Sequence, residues 1–157
     1  MKKRWYLIAT VVVIAVILVA LFKWKESDNV EINSSAYMYT EKGDISKRVD
    51  TELIGSFNLK NYNFRGELKI DGIHFTNVLF SSGMGITSFE GNEGDLLGQI
   101  YYIHKQKKYI IEITNKELYK KLTGKNYNNF PLIISSPSNT IDEAKQNYSD
   151  IKERRDH

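Results

Sequence analysis

The sequence predicts an α+β chain, with an N-terminal transmembrane helix followed by a small, mainly antiparallel β-sheet domain and one or two C-terminal helices. Three observations predict it. From Trp5 to Phe22 every residue except Thr10 is apolar or aromatic. Between Val49 and Ile113 apolar residues alternate with polar ones and are punctuated by turn-forming pairs, the pattern of half-buried strands. Beyond Asn115 the apolar spacing becomes helical and capping residues appear. The chain therefore divides into a cytoplasmic tail (1–4), a transmembrane helix (5–23), a linker (24–36), an extracytoplasmic β-rich domain (37–137) and an amphipathic helix with a charged tail (138–157).

The apolar run covers roughly 27 Å at ~1.5 Å per helical residue, close to the thickness of a bilayer core. Trp5, Tyr6, Phe22 and Trp24 stand at its ends as interfacial anchors. A cleaved signal peptide would be shorter and would end in small residues, whereas this run ends in Leu21, Phe22, Lys23, Trp24 and Lys25. Lys2, Lys3 and Arg4 precede it, and Lys23 and Lys25 are followed by Glu26, Asp28 and Glu31. The positive-inside bias then places the N-terminus in the cytoplasm and the domain outside, a single-pass signal-anchor protein of the inner membrane.

Residues 26–36 are polar and read as a spacer or an irregular first strand. Val49, Thr51, Leu53, Gly55, Phe57 and Leu59 keep the period of a strand, interrupted once by Ile54. Phe64, Gly66, Leu68 and Ile70 lead into Asp71-Gly72, with Ile73 and Phe75 beyond, which predicts a hairpin. The phase slips between Phe75 and Val78, which predicts a bulge or bend. Residues 81–98 hold Gly83, Gly85, Gly91, Gly94 and Gly98, five of the ten glycines, and read as a loop with one short strand near Ile86 and Phe89. Leu96–Ile103 and Tyr109–Ile113 form a second hairpin. Asn115–Leu122 is a short capped helix ending at Gly124, Phe130–Ser135 a last strand, and Thr140 with Glu143 opens the terminal helix as a capping box.

Hydrophobic content of 41%, charged content of 26% and no Cys fit one small domain and exclude a disulfide-stapled scaffold. The net charge of +3 comes from the residues that flank the apolar run: without Lys2, Lys3, Arg4 and Lys23, 18 basic residues face 19 acidic ones, and nucleic acid is not an expected partner.

No catalytic or cofactor signature emerges. Gly83-Met84-Gly85 lacks the third glycine of a dinucleotide fingerprint, and Gly124-Lys125 is followed by Asn126 where a phosphate loop needs Ser or Thr. The acidic loop Glu90-Gly91-Asn92-Glu93-Gly94-Asp95 offers oxygen ligands without EF-hand spacing, and His74, His104 and His157 have no metal-ligand spacing. There is no GxSxG and no Cys, and Ser149 to Lys152 is an isolated Ser-x-x-Lys. Neither a catalytic residue, a cofactor nor a metal is expected. Surface character remains: Tyr101, Tyr102, Lys105, Lys107, Lys108 and Tyr109 gather base and aromatic on one hairpin, a candidate binding surface for anionic head groups, wall polymers or an acidic protein face.

The basic start and apolar run through Phe22, the strand Phe57–Leu59, the hairpin Phe64-Arg65-Gly66-Glu67-Leu68-Lys69-Ile70-Asp71-Gly72 and the strand Tyr109–Ile113 together resemble FidL-like small membrane proteins. The absence of Cys departs from that pattern. The resemblance implies an accessory role beside membrane-bound winged-helix regulators and no catalytic residues. The expected function is a membrane-anchored extracytoplasmic domain that touches the bilayer and stabilises or regulates another membrane protein. The alternative is a small envelope ligand sensor or hydrolase built on the Gly-rich acidic loop.

Overall fold

A computed structural model describes residues 11–14, 16 and 26–153. Strands β1 (Ser27–Tyr39), β2 (Ser46–Asn58), β3 (Asn63–Ile70), β4 (Ile73–Ser81), β5 (Met84–Glu90), β6 (Glu93–Ile103), β7 (Lys108–Ile113) and β8 (Leu132–Ser136) follow one another in chain order around a closed barrel. Every neighbouring pair is antiparallel, and β8 returns to β1 through Tyr37↔Ser135, Met38↔Ile134 and Tyr39↔Ile133. Helix α1 (Lys116–Thr123) links β7 to β8, and α2 (Ile141–Glu153) follows β8.

This corrects the expected fold class. The folded unit is a closed eight-stranded barrel with two short helices, not a small sheet domain behind a transmembrane helix, and among the described residues no helix is long and apolar enough to cross a membrane. That finding counts against the single-pass signal-anchor reading and the inner-membrane placement drawn from it. Within the apolar run only Val11–Ile14 and Val16 are described, and they are helical and exposed. Trp5, Tyr6, Phe22 and Trp24 lie outside the described residues, as does the end of the charged tail.

The barrel closes because the stretch read as a spacer or irregular first strand and the stretch read as a loop with one short strand both form long, regular strands. β1 begins at Ser27, inside the polar stretch, with Val30, Ile32, Ala36 and Met38 buried and Asn29, Glu31 and Asn33 exposed between them. The Gly-rich segment is the β5–β6 hairpin, turning at Gly91. Its glycines make room for side chains on the outer face: a Cβ on Gly94 would meet the Phe89 ring at 2.8 Å, and one on Gly85 would meet Leu96 at 2.8 Å.

An eight-stranded barrel has an interior just wide enough for side chains to fill. Here Leu53, Phe64, Leu68, Ile70, Phe80, Ile86, Ile100, Tyr109 and Ile111 fill it, each essentially inaccessible to solvent. Phe64 stacks on Phe80 with ring centroids 4.7 Å apart and lies across the directly paired Gly55 and Gly66, where a Cβ on either would come within 2.7 Å of its ring. Ile54, the residue that interrupts the β2 alternation, is simply on the outside.

The turn Asp71-Gly72 has positive φ at both residues, 49° and 83°, the geometry that suits a two-residue hairpin. The expected phase slip is present: Gly66 pairs with Val78 and Leu68 with Phe75, so Thr76 and Asn77 together oppose Glu67 as a bulge. Asn115 caps α1 by accepting from the N–H of Glu117 and Leu118 at 3.1 and 3.0 Å, and Gly124 ends the helix in the left-handed region. Leu118, Tyr119 and Leu122 of α1 join the barrel interior at the end where β7 stops. Helix α2 instead lies on the outer wall, where Ala144 and Ile151 pack on Tyr39, Tyr101, Ile110 and Ile133.

Candidate functional site

Consecutive strands put all the turns at two ends. The Asp71-Gly72 and Gly91-Asn92 turns and α1 share one end, and the segment His104–Lys107 sits at the other. At the α1 end a lateral cleft of about 440 Å³ opens between β4, the β5–β6 hairpin and the start of α1. Its cause lies in strand pairing. β4 pairs with β3 from Ile73 onward but with β5 only through Val78↔Ser88, Leu79↔Thr87 and Phe80↔Ile86. The bulge at Thr76-Asn77 is where β4 leaves β5, and a bulge characteristically bends a strand and ends pairing.

Ile73, Phe75, Leu97 and Leu118 give the cleft an apolar floor, with Ser88 between them. Glu90 and Asp95 rise from the hairpin side, and Lys116, Glu117 and Lys121 from α1. Among the described residues none of these five charged side chains forms a salt bridge with another. The α1 wall is fixed to the hairpin by the N–H groups of Thr114 and Asn115, both donating to the carbonyl of Leu97 at 3.1 Å, and by the Asn115 amide donating to the carbonyl of Leu96 at 3.1 Å.

At the opposite end, Tyr102, His104 and Asp28 form a chain of polar contacts. The Tyr102 hydroxyl is 3.2 Å from His104 Nδ1, and His104 Nε2 is 3.0 Å from Asp28 Oδ2. The imidazole stacks on Phe57 at 4.9 Å. Burial, reinforced by the charge of Asp28, pushes the Tyr102 hydroxyl up to about 12, so it stays protonated at neutral pH. A third polar group lies between β1, β2, β7 and β8: Thr51 donates to the Ser34 carbonyl and lies 3.2 Å from the Ser136 hydroxyl, which meets that of Ser34 at 2.6 Å. The Tyr109 hydroxyl is buried next to it; burial raises its pKa, and the neighbouring Ser136 and Thr51 hydroxyls act in the opposite direction.

The residues that the sequence singles out as a binding surface are dispersed. Tyr101 is buried on the outer wall beneath α2, while Tyr102 and Tyr109 point into the barrel. Lys105 and Lys107 are exposed, and Lys108 donates to Asn147 of α2 at 3.0 Å. These residues share a hairpin without forming one exposed aromatic and basic face, because a strand sends successive side chains to opposite sides. Glu90 and Asp95 of the acidic loop do meet in the cleft, with His104 at the other end of the barrel. Among the described residues no group of His, Asp and Glu is arranged to hold a metal ion. The floor residues Ile73, Phe75 and Leu97 escape sequence reasoning; the slip in alternation after Phe75 is the one signal that β4 changes course there.

No protein-family model matches the chain, and neither a curated protein nor a solved structure is significantly similar to it.

Proposed function

We propose that this chain is a binding or accessory domain that holds another protein in the cleft between β4 and β5. The single observation that carries this reading is a side-chain-filled barrel with an open, apolar-floored cleft whose rim charges have no salt-bridge partner among the described residues. Recognition surfaces commonly combine an apolar centre with a polar rim in this way. A filled interior also distinguishes the domain from eight-stranded barrels that enclose a small ligand. A membrane protein is the partner that the FidL-like resemblance implies.

The sensor or hydrolase alternative draws its support from Glu90 and Asp95 at the cleft. His104, which the hydrolase form of this reading would set beside them, stands at the other end of the barrel against Asp28.

The test is photo-crosslinking in the native host, with the photoreactive residue placed at Lys121 on the cleft or at Lys145 on α2. One stoichiometric protein captured from Lys121 and not from Lys145 is the expected result. Capture from neither position, in cells where the protein is well expressed, would count against an accessory role.

A further inference from the structure

β4 is a strand with one side unpaired for half its length. From Ile73 to Phe75 it pairs with β3, and Thr76-Asn77 form the bulge against Glu67, while its other side has no strand partner until pairing to β5 starts at Val78. Across the gap, Phe89 and Glu90 of β5 pair with Gly94 and Glu93 of β6 and have no β4 partner. In an antiparallel strand alternate residues direct N–H and C=O away from a given neighbour, so the free edge offers a short row of donors and acceptors at the cleft wall. Exposed edges of this kind are normally blunted or covered, and they are the template for strand addition.

We propose, building on the binding-domain reading, that the cleft receives an extended peptide segment of the partner, which adds as a strand along Ile73–Asn77. The occupant alternates apolar residues, seated on Phe75 and Leu97, with at least one Lys or Arg that meets Glu90 and Asp95. Charge supports that choice. Among the described residues Glu90 and Asp95, with Glu93 beside them on the hairpin, have no cation paired to them, whereas Asp44 and Asp71 at the same end have Lys125 and Lys47. Lys116 and Lys121 at the α1 rim suit an acidic residue or a C-terminal carboxylate at the far end of the same segment. Main-chain bonds would supply affinity largely independent of sequence, and the floor and rim would supply selectivity.

The test is selection of a random dodecapeptide display library on the immobilised full-length protein, followed by synthesis of the recovered peptides. Peptides that alternate apolar and basic residues should emerge and protect from hydrogen exchange those amides of Ile73–Asn77 that point away from β3. Methylating alternate peptide nitrogens, and separately the double substitution Glu90→Lys/Asp95→Lys in the protein, should each weaken binding by about tenfold or more. Both substitutions are at exposed positions, and an unchanged Tm would show that the fold is intact. Peptides that bind equally well when N-methylated, that ignore the double substitution, or that protect another surface would overturn strand addition. The binding-domain reading would survive those results, because it fails only on the cellular crosslink. If no peptide family is recovered at all, the slot is not a peptide site.

Discussion

Phe64→Ala tests whether the barrel is filled as described. Phe64 is fully buried, stacks on Phe80 and covers the Gly55–Gly66 pair. Truncating a buried Phe costs about 3 to 5 kcal/mol, more where neighbours cannot collapse into the space. Two of the walls here are glycines with no side chain to move, which places the expected loss at the upper end, about 4 to 5 kcal/mol. Urea denaturation of wild type and variant, compared at equal slope, measures it. A loss under about 2 kcal/mol would refute the packing argument.

Gly55→Ala provides the control. The added methyl would lie 2.3 Å from the Arg65 carbonyl oxygen and 2.7 Å from Gly66 Cα, contacts with backbone that removal of the Phe64 ring leaves in place. Overpacking of this kind costs about 1 to 3 kcal/mol, so Gly55→Ala should destabilise even in the Phe64→Ala background. Rescue of one by the other would show that the two strands are farther apart than the structure places them.

Other expectations concern the helices and the buried tyrosines. Asn115→Ala removes the acceptor for two N–H groups at the start of α1 and should cost about 1 kcal/mol, seen as faster hydrogen exchange across Lys116–Thr123. Tyr148 donates to Glu112 at 2.6 Å, a carboxylate that Lys152 also meets at 3.3 Å, so Tyr148→Phe should loosen α2 by about 1 to 2 kcal/mol, measurable by limited proteolysis and denaturation. Tyr39, Tyr102 and Tyr148 are each pushed up to about 12, chiefly by burial. Because the folded state holds these protons more tightly than the unfolded chain, their stabilising contribution is complete below pH 10 and is lost as pH rises toward 12. Ultraviolet titration should show these three ionising only as the barrel opens; titration of all three near pH 10 in the folded protein would contradict their burial.

Much of the local structure was legible along the chain. Asp71-Gly72 specified its hairpin through the turn geometry that only such pairs adopt readily, Asn115 and Gly124 bounded α1 by their capping preferences, and the slip after Phe75 marked the bulge. The Gly-rich segment misled because glycine has two meanings. In a turn it supplies positive φ, whereas at Gly85 and Gly94 it yields space to a large neighbour on the strand beside it, and a single sequence does not distinguish them. The tyrosines misled for a related reason: Tyr101, Tyr102 and Tyr109 cluster in sequence, yet one packs under α2 and two face the interior.

The Asp71-Gly72 turn, the caps of α1 and the strands with unbroken alternation were set along the chain, since each depends on neighbours within a few residues. Only the tertiary structure decided closure of the barrel and the existence of the cleft. Closure requires β1 to meet β8, about a hundred positions apart, through main-chain bonds that carry no side-chain signature. The cleft requires β4 to stay with β3 while leaving β5, and its lining comes from β4, the β5–β6 hairpin and α1, which no window of the sequence contains together.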